Sequence, residues 1–359
     1  MKKNDDSLKK FDFIDALRGW AILGVISVHS SMVGAVPDFI QPFIFGGSRG
    51  VQLFFIVSAF TLFYSLYSRK DTCKFRSFFI RRFFRIAPLF YIVACISILC
   101  GSADPGSYWA PEGVSLLGIL SVFLFLNGWK PDILNAVVAG GWTIAVEMNF
   151  YLFIPILFLY INSFKRAFVL LIGGFCLGKI ISNIFIFFYN DSYGGDLRYL
   201  LDNWESMNLF AQFYIFCFGI LAFLLWYTYK EKLYSISYKY FNYGIYILIL
   251  MLLIALYTSL RTGILAMILF MIVILAPFSN VWLFKNRLII LWGKISYSAY
   301  LLHFFIIDII KKIFNDNEPW IFLFFILLVV TFGISYFSYR YIEQYFQNIG
   351  RNIIKKMEY

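Results

Sequence analysis

Long apolar runs separated by short polar connections define this chain of 359 residues. The runs lie near 14–33, 50–67, 83–100, 142–161, 167–189, 208–229, 242–259, 263–280, 290–312 and 320–341. Each approaches the roughly 20 residues that an α-helix needs to cross a hydrocarbon core of about 30 Å. Apolar positions are continuous within the runs, whereas a membrane β-barrel alternates with a period of two. The pattern therefore predicts an all-α polytopic membrane protein, a bundle of about ten transmembrane helices.

An eleventh apolar stretch, "VSLLGILSVFLFLNGW" at 114–129, makes the number of crossings ambiguous. The charges resolve it. With ten spans and a cytoplasmic N-terminus, the inside holds Lys2, Lys3, Lys9, Lys10, the basic run "RKDTCKFRSFFIRRFFR", Lys165, Arg166, Lys230, Lys232, Lys239, Lys285, Arg287, Arg340, Arg351, Lys355 and Lys356. The outside holds only Arg49, Lys130, Arg198, Arg261, Lys311 and Lys312, while Arg18, Lys179 and Lys294 fall within spans. This is the bias expected of a membrane protein. Counting 114–129 as a span would reverse it, so that stretch reads as a re-entrant or interfacial helix, with both termini cytoplasmic. One transmembrane domain is expected over 1–346, followed by a short basic cytoplasmic tail at 347–359.

Composition agrees: 61% of residues are hydrophobic, 22% aromatic and 14% charged, against about 25% charged in a soluble domain. The net charge of +11 is spread over loops as a topology signal, and no nucleic-acid partner is expected. Cys73, Cys95, Cys100, Cys176 and Cys217 have neither paired spacing nor a neighbouring histidine, so they read as buried free thiols. The basic N-terminus precedes a segment containing Asp15 and Arg18, which reads as an uncleaved first helix rather than a signal peptide.

Ionisable residues within the apolar runs are the candidates for chemistry, because each is costly in hydrocarbon. In "ALRGWAILGVISVHSS" Arg18 and His29 lie eleven residues apart, about 20° from the same helix face and roughly 16 Å apart along the axis. Asp15 sits one turn before Arg18 and is its expected partner. Arg18 reads either as a pathway residue or as an interfacial side chain whose charge reaches the membrane surface. Glu147, in "GGWTIAVEMNFYLFIP", should enter the membrane at a depth similar to His29. A His–Glu pair suits acid–base chemistry, although the same pair also serves helix packing. Arg82 and Arg85, three residues apart in "RRFFRIAPLF", share a face and fit phosphate recognition as well as topology. Ser296, Tyr300 and His303 share a face in "GKISYSAYLLHFF", beside Tyr297. Glu343 reads as a solvated carboxylate at the inner interface. No nucleophile elbow, phosphate loop, dinucleotide fingerprint or metal-ligand cluster is present in the sequence, and no metal is expected.

Five stretches in order, "IDALRGWAILGVISVHS", "RGVQLFFIVSAFTLF", "RRFFRIAPLFY", "GWTIAVEMNFYLF" and "GKISYSAYLLH", resemble the acyltransferase-3 family of membrane acyltransferases over about 11–346. The resemblance implies a ten-helix bundle that takes an acyl group, most commonly acetyl, from cytoplasmic acyl-CoA to a glycan hydroxyl across the membrane. It assigns catalysis to His29, Glu147 and Arg18, with His29 either a general base or a transient acyl carrier. It assigns the acetyl-CoA donor to Arg82 and Arg85, with Ser58, Tyr297, Tyr300 and His303 lining the thioester end. The implied partners are a glycan or lipid-linked polysaccharide such as lipopolysaccharide O-antigen, and membrane lipids. The outer segment "YNDSYGGDLRYLLDNWES" (189–206) offers aromatic and acidic groups either for the sugar or for an aromatic belt at the membrane interface, and the location is a cell membrane, the inner one in a Gram-negative bacterium. Two departures stand out: Ala59 in "SAF" where the family often has glycine, and Tyr345 where it has proline. The chain ends about 18 residues past the last run, so no fused esterase-like domain is expected. A transporter or flippase using the same buried charges is the alternative, although no inverted repeat supports it.

Overall fold

The computed structural model describes residues 12–69, 71–258, 260, 262–314 and 318–358. Lys2, Lys3, Lys9, Lys10, Lys70 and Arg261 of the charge pattern lie outside the described residues. The fold is all-α. Its helices are α1 (Asp12–His29), α2 (Gln41–Gly46), α3 (Gly50–Ser68), α4 (Lys74–Leu99), α5 (Leu116–Phe123), α6 (Gly141–Tyr160), α7 (Phe164–Tyr189), α8 (Arg198–Met207), α9 (Leu209–Tyr234), α10 (Tyr238–Tyr257), α11 (Thr262–Leu275), α12 (Arg287–Lys294), α13 (Ser296–Ile313), α14 (Trp320–Ser338) and α15 (Gln344–Glu358). The described residues contain no strand, only an isolated bridge between Ser107 and Ala110.

Among the described residues, 7 helices are long and apolar enough to cross a membrane, or up to 8 if the pair Thr262–Phe278 and Trp282–Lys294, bent by 86°, is one span. The helices α1 and α13 match the remaining expected spans in position, but each carries three charged residues: Asp12, Asp15 and Arg18, and Asp308, Lys311 and Lys312. Large apolar side chains remain exposed on the outer faces, among them Leu152, Leu177, Leu250 and Phe325. This is the surface of a multi-pass membrane protein, whose solvent is lipid.

Three expectations need correction. The run at 290–312 is two helices, α12 and α13, interrupted at Ile295. The helix that carries the span near 83–100 begins earlier, at Lys74, so Arg81, Arg82 and Arg85 lie within α4 and not at its first turn. Of the five thiols only Cys217 is buried, because the others sit at helix ends or on outward faces.

The chain divides into two compact units. The first runs through Thr61 and resumes at Phe218–Tyr339. Its organising contact is the crossing of α1 with α12, where backbone meets backbone. A Cβ on Gly293 would collide with the Asp15 carbonyl, and one on Gly19 with the Ile289 carbonyl. Glycine on both helices permits an approach that any side chain would block. Asn286 caps α12 by accepting from the amides of Leu288 and Ile289 at 2.8 and 3.2 Å. The Trp20 indole donates to the Leu283 carbonyl at 2.9 Å. At the far end of α1, Trp320 donates to Ser30 Oγ at 3.0 Å.

The second unit comprises Leu62–Cys217 and the chain from Arg340 onward. The stretch at 114–129 is a short helix here. Ser115 accepts from the Gly118 amide to start α5, whose eight residues rise about 12 Å, far short of a crossing. The irregular backbone after it is satisfied by side chains: Tyr91 donates to Phe123 O at 2.9 Å, Asn149 to Phe125 O at 2.7 Å, Trp204 to Gly128 O at 3.0 Å and Tyr189 to Trp129 O at 2.9 Å. Such capping is what non-helical backbone requires within a membrane protein. Phe125 has φ 58°, a left-handed conformation that is costly for a bulky residue. Leu134, Tyr193, Leu200, Leu201 and Trp204 form a buried cluster beneath α8. Tyr193 and Trp204 of the 189–206 segment are thereby packed into the protein instead of presented on its surface. Burial and the Asp132 carboxylate push the Tyr193 phenol up. The expected tail is the body of the amphipathic α15, whose Gly350 packs against Phe84.

Two stability changes are expected. Gly293→Ala should destabilise the folded protein by about 1–3 kcal/mol through overpacking, read as a lower melting temperature in detergent. Asn149→Ala removes an amide that also bonds Ala145 O and Trp129. It should cost about 2 kcal/mol or more and increase proteolysis between 114 and 129.

Candidate functional site

Within the first unit, helix periodicity sets Asp15 and Arg18 one turn apart on α1, and the two form an ion pair at 3.5 Å. The Arg18 guanidinium also donates to Thr61 Oγ1 at 3.2 Å, and that hydroxyl donates to the Ser58 carbonyl at 2.9 Å. Arg18 and Ser58, candidates 40 residues apart in sequence, are thus linked through a residue that sequence reasoning passed over. Ala59 is fully buried. The close approach associated with glycine at that position is supplied from α9, where a Cβ on Gly219 would collide with the Ile56 carbonyl and the Ala59 side chain.

The two histidines of the chain meet at the opposite end of α1. His29 Nδ1 lies 2.9 Å from His303 Nε2, and the rings stack at 5.0 Å between centroids. His303, completely buried, places its Nδ1 3.0 Å from the Ala299 carbonyl. Phe304 lies against both rings, at 4.5 Å from His29 and 4.1 Å from His303. Tyr300 is one turn from His303, with rings 6.0 Å apart, and packs edge-on to Phe54. Tyr297 and Ser296 begin the same helix. Shared helix faces foretold the Ser296–Tyr300–His303 alignment. Contact between His29 and His303 was not foretold, because nothing in either segment encodes which helix it packs against.

The second unit assembles another charged group. Glu147 accepts a hydrogen bond from Tyr151 at 2.6 Å, one turn along α6. The Arg82 guanidinium lies over the rings of Tyr151 and Phe78, 5.7 and 5.8 Å from their centroids, a geometry that stabilises a cation in apolar surroundings. Arg85 shares the electrostatic environment of Tyr151. Arg81 is occupied by Asp71 at 2.5 Å. The expected His–Glu pair draws on residues of different units. The ring nitrogen that His29 faces is that of His303, whereas Glu147 is held by Tyr151. Tyr151 is a member that the sequence could have supplied, since it stands four residues after Glu147.

Glu343 is another correction. It is buried, with 4% of its surface exposed, and closes a π-helical turn at Tyr339–Glu343. Such turns widen a helix and recur at functional sites. Among the described residues, no three His, Cys, Asp or Glu side chains gather where a metal could be held.

The geometry gains a context from known proteins. The chain is similar to a protein of Staphylococcus aureus strain COL that carries a provisional O-acetyltransferase name, at 23% identity over 94% of this chain and 57% of that protein. It is similar to the peptidoglycan O-acetyltransferase OatA of Listeria monocytogenes at 23% identity, over 94% of this chain and 56% of the relative. It is also similar to the O-acetyltransferase OatA of Staphylococcus aureus strain NCTC 8325 at 24% identity, over 92% and 56%. The chain thus spans just over half the length of these relatives. No solved structure matches it. A family model described as an acyltransferase domain matches residues 11–340, and with nearly the whole described fold inside that match, the chain belongs to the acyltransferase-3 family.

Proposed function

We propose that this protein is a membrane O-acyltransferase that moves an acetyl group from acetyl-CoA to a hydroxyl of a cell-envelope glycan. The observation that carries the reading is the contact of the only two histidines, placed together from segments 274 residues apart, in a chain of an acyltransferase family. Imidazole is suited to taking a proton from a hydroxyl near neutral pH. An apolar site backed by Phe304 excludes water that would otherwise compete for the acyl group.

His29 acts in this reading on the acceptor hydroxyl, or carries the acyl group transiently. Arg18, held by Asp15 and Thr61, lines the donor's path with Ser58. Tyr297 and Tyr300 donate to the developing oxyanion. Arg82 and Arg85 hold donor phosphates from the cytoplasmic side, and Glu147, through Tyr151, sets the charge balance around them. The acceptor is a polymer hydroxyl: likeness to the peptidoglycan O-acetyltransferase of Listeria supports peptidoglycan, and lipopolysaccharide O-antigen presents the same chemistry. The bacterial cell membrane, the inner one in a Gram-negative cell, is the location consistent with both. Residues 1–346 carry the transmembrane activity, with 347–359 as a basic cytoplasmic end.

Purified protein in liposomes, supplied with acetyl-CoA and either peptidoglycan fragments or O-antigen oligosaccharide, tests this. Acetylated glycan and released CoA are expected from the wild type. His29→Ala should lower turnover by about 10²-fold or more. Arg85→Ala should raise KM for acetyl-CoA about tenfold, the loss of one charge-assisted contact, with a smaller change in kcat. A folded wild type that neither binds nor consumes acetyl-CoA overturns the proposal.

A further inference from the structure

The positions of four atoms determine which nitrogen of His29 does the chemistry. A carbonyl oxygen only accepts, so His303 Nδ1, 3.0 Å from Ala299 O, must carry a hydrogen. With that ring neutral, its Nε2 is a bare acceptor. His29 Nδ1 lies 2.9 Å from it and must be the donor. With His29 also neutral, its second nitrogen, Nε2, is left with the lone pair. We infer that His303 is a positioning residue for acyl transfer: it holds His29 in the Nδ1–H tautomer and makes His29 Nε2 the base.

In water the neutral histidine side chain favours the other tautomer, with the proton on Nε2. The fold reverses that preference through a chain of two donors, His29 to His303 and His303 to the Ala299 carbonyl. It does the work that a carboxylate does behind a catalytic histidine elsewhere, but with no formal charge buried. His303 is completely buried, and its ring lies against those of both His29 and Phe304, so its orientation is fixed by packing as well as by hydrogen bonds.

This inference rests on the acyl-transfer reading. In the step, the acceptor hydroxyl gives its proton to His29 Nε2 while its oxygen adds to the thioester carbonyl. The carbon–sulfur bond then breaks, and the departing thiolate takes the proton back from Nε2. Acetylated glycan and CoA thiol are the products, and both histidines end as they began. Throughout, His29 Nδ1–H continues to donate to His303, which shares the transient positive charge without accepting the proton.

The test exploits the histidine count of 2. The full chain, labelled with ¹⁵N-histidine and reconstituted in lipid, gives solid-state NMR signals from two rings only, and at about pH 8 neutral imidazole dominates. The wild type is expected to show both rings protonated at Nδ1 and bare at Nε2. His303→Phe keeps an aromatic ring but removes the acceptor. The His29 signal should then move to the Nε2–H form, with turnover of acetyl-CoA falling about 10²-fold or more. His303→Gln restores an acceptor carbonyl, so His29 should keep its Nδ1–H form and recover most of that loss. A wild-type spectrum with His29 protonated at Nε2 overturns the inference, as does a His303→Phe protein with unchanged tautomer and turnover. If the expected wild-type spectrum appears in a protein that consumes no acetyl-CoA, the relay stands and the acyl-transfer reading falls.

Discussion

A polar group within a bilayer has no water to turn to, so each must find its partner inside the protein. That constraint organises the groups described above. Arg18 rests on Asp15 and Thr61, His29 on His303, and His303 on a backbone carbonyl. The irregular backbone between Phe123 and Trp129 is covered donor by donor from Tyr91, Asn149, Trp204 and Tyr189. A soluble protein would leave several of these groups to solvent. Here the partners are built in, and the polar residues of the spans are consequently the ones whose positions are most tightly determined.

The same constraint explains what was legible in the sequence. Span positions follow from runs of apolar residues, and the Asp15–Arg18 pair from helical periodicity, because both are local properties. Helix α5 was legible as a non-crossing segment because the charges on either side of it are asymmetric. The interruption at Ile295 was hidden, since Ser296, Ser298 and Gly293 are all tolerated within a continuous membrane helix. The burial of Glu343 was hidden for a different reason: a π-helical turn rotates the face that the preceding residues define. Contacts between distant segments, His29 with His303 above all, depend on which faces pack, and a single sequence does not encode that in any local pattern.

The candidate chemistry is distributed with a similar logic. In the first unit, the polar groups of α1 are separated by roughly 16 Å along the helix, a charged pair in its first half and the histidine pair at its end. In the second, cation–π contacts hold Arg82 over Tyr151 and Phe78, and Tyr151 in turn holds Glu147. The family gives these groups an acyl-transfer context. The residues that position them, Thr61 for Arg18 and Tyr151 for Glu147, carry no chemistry of their own but decide where the charged atoms stand.

The crossing of α1 and α12 has a consequence for how such a chain can vary over evolutionary time. At Gly19 and Gly293 the obstacle to any larger residue is a backbone carbonyl, from Ile289 and Asp15 respectively. Every amino acid brings that carbonyl, so no replacement at 289 or 15 can make room for a methyl group at either glycine. Second-site suppressors of a glycine substitution must therefore shift a whole helix, while the side chains at 15 and 289 answer to other demands. The two sides of one contact are thus under unequal constraint: the residue identity is locked on the side with the smaller atom count, and open on the side that supplies the wall.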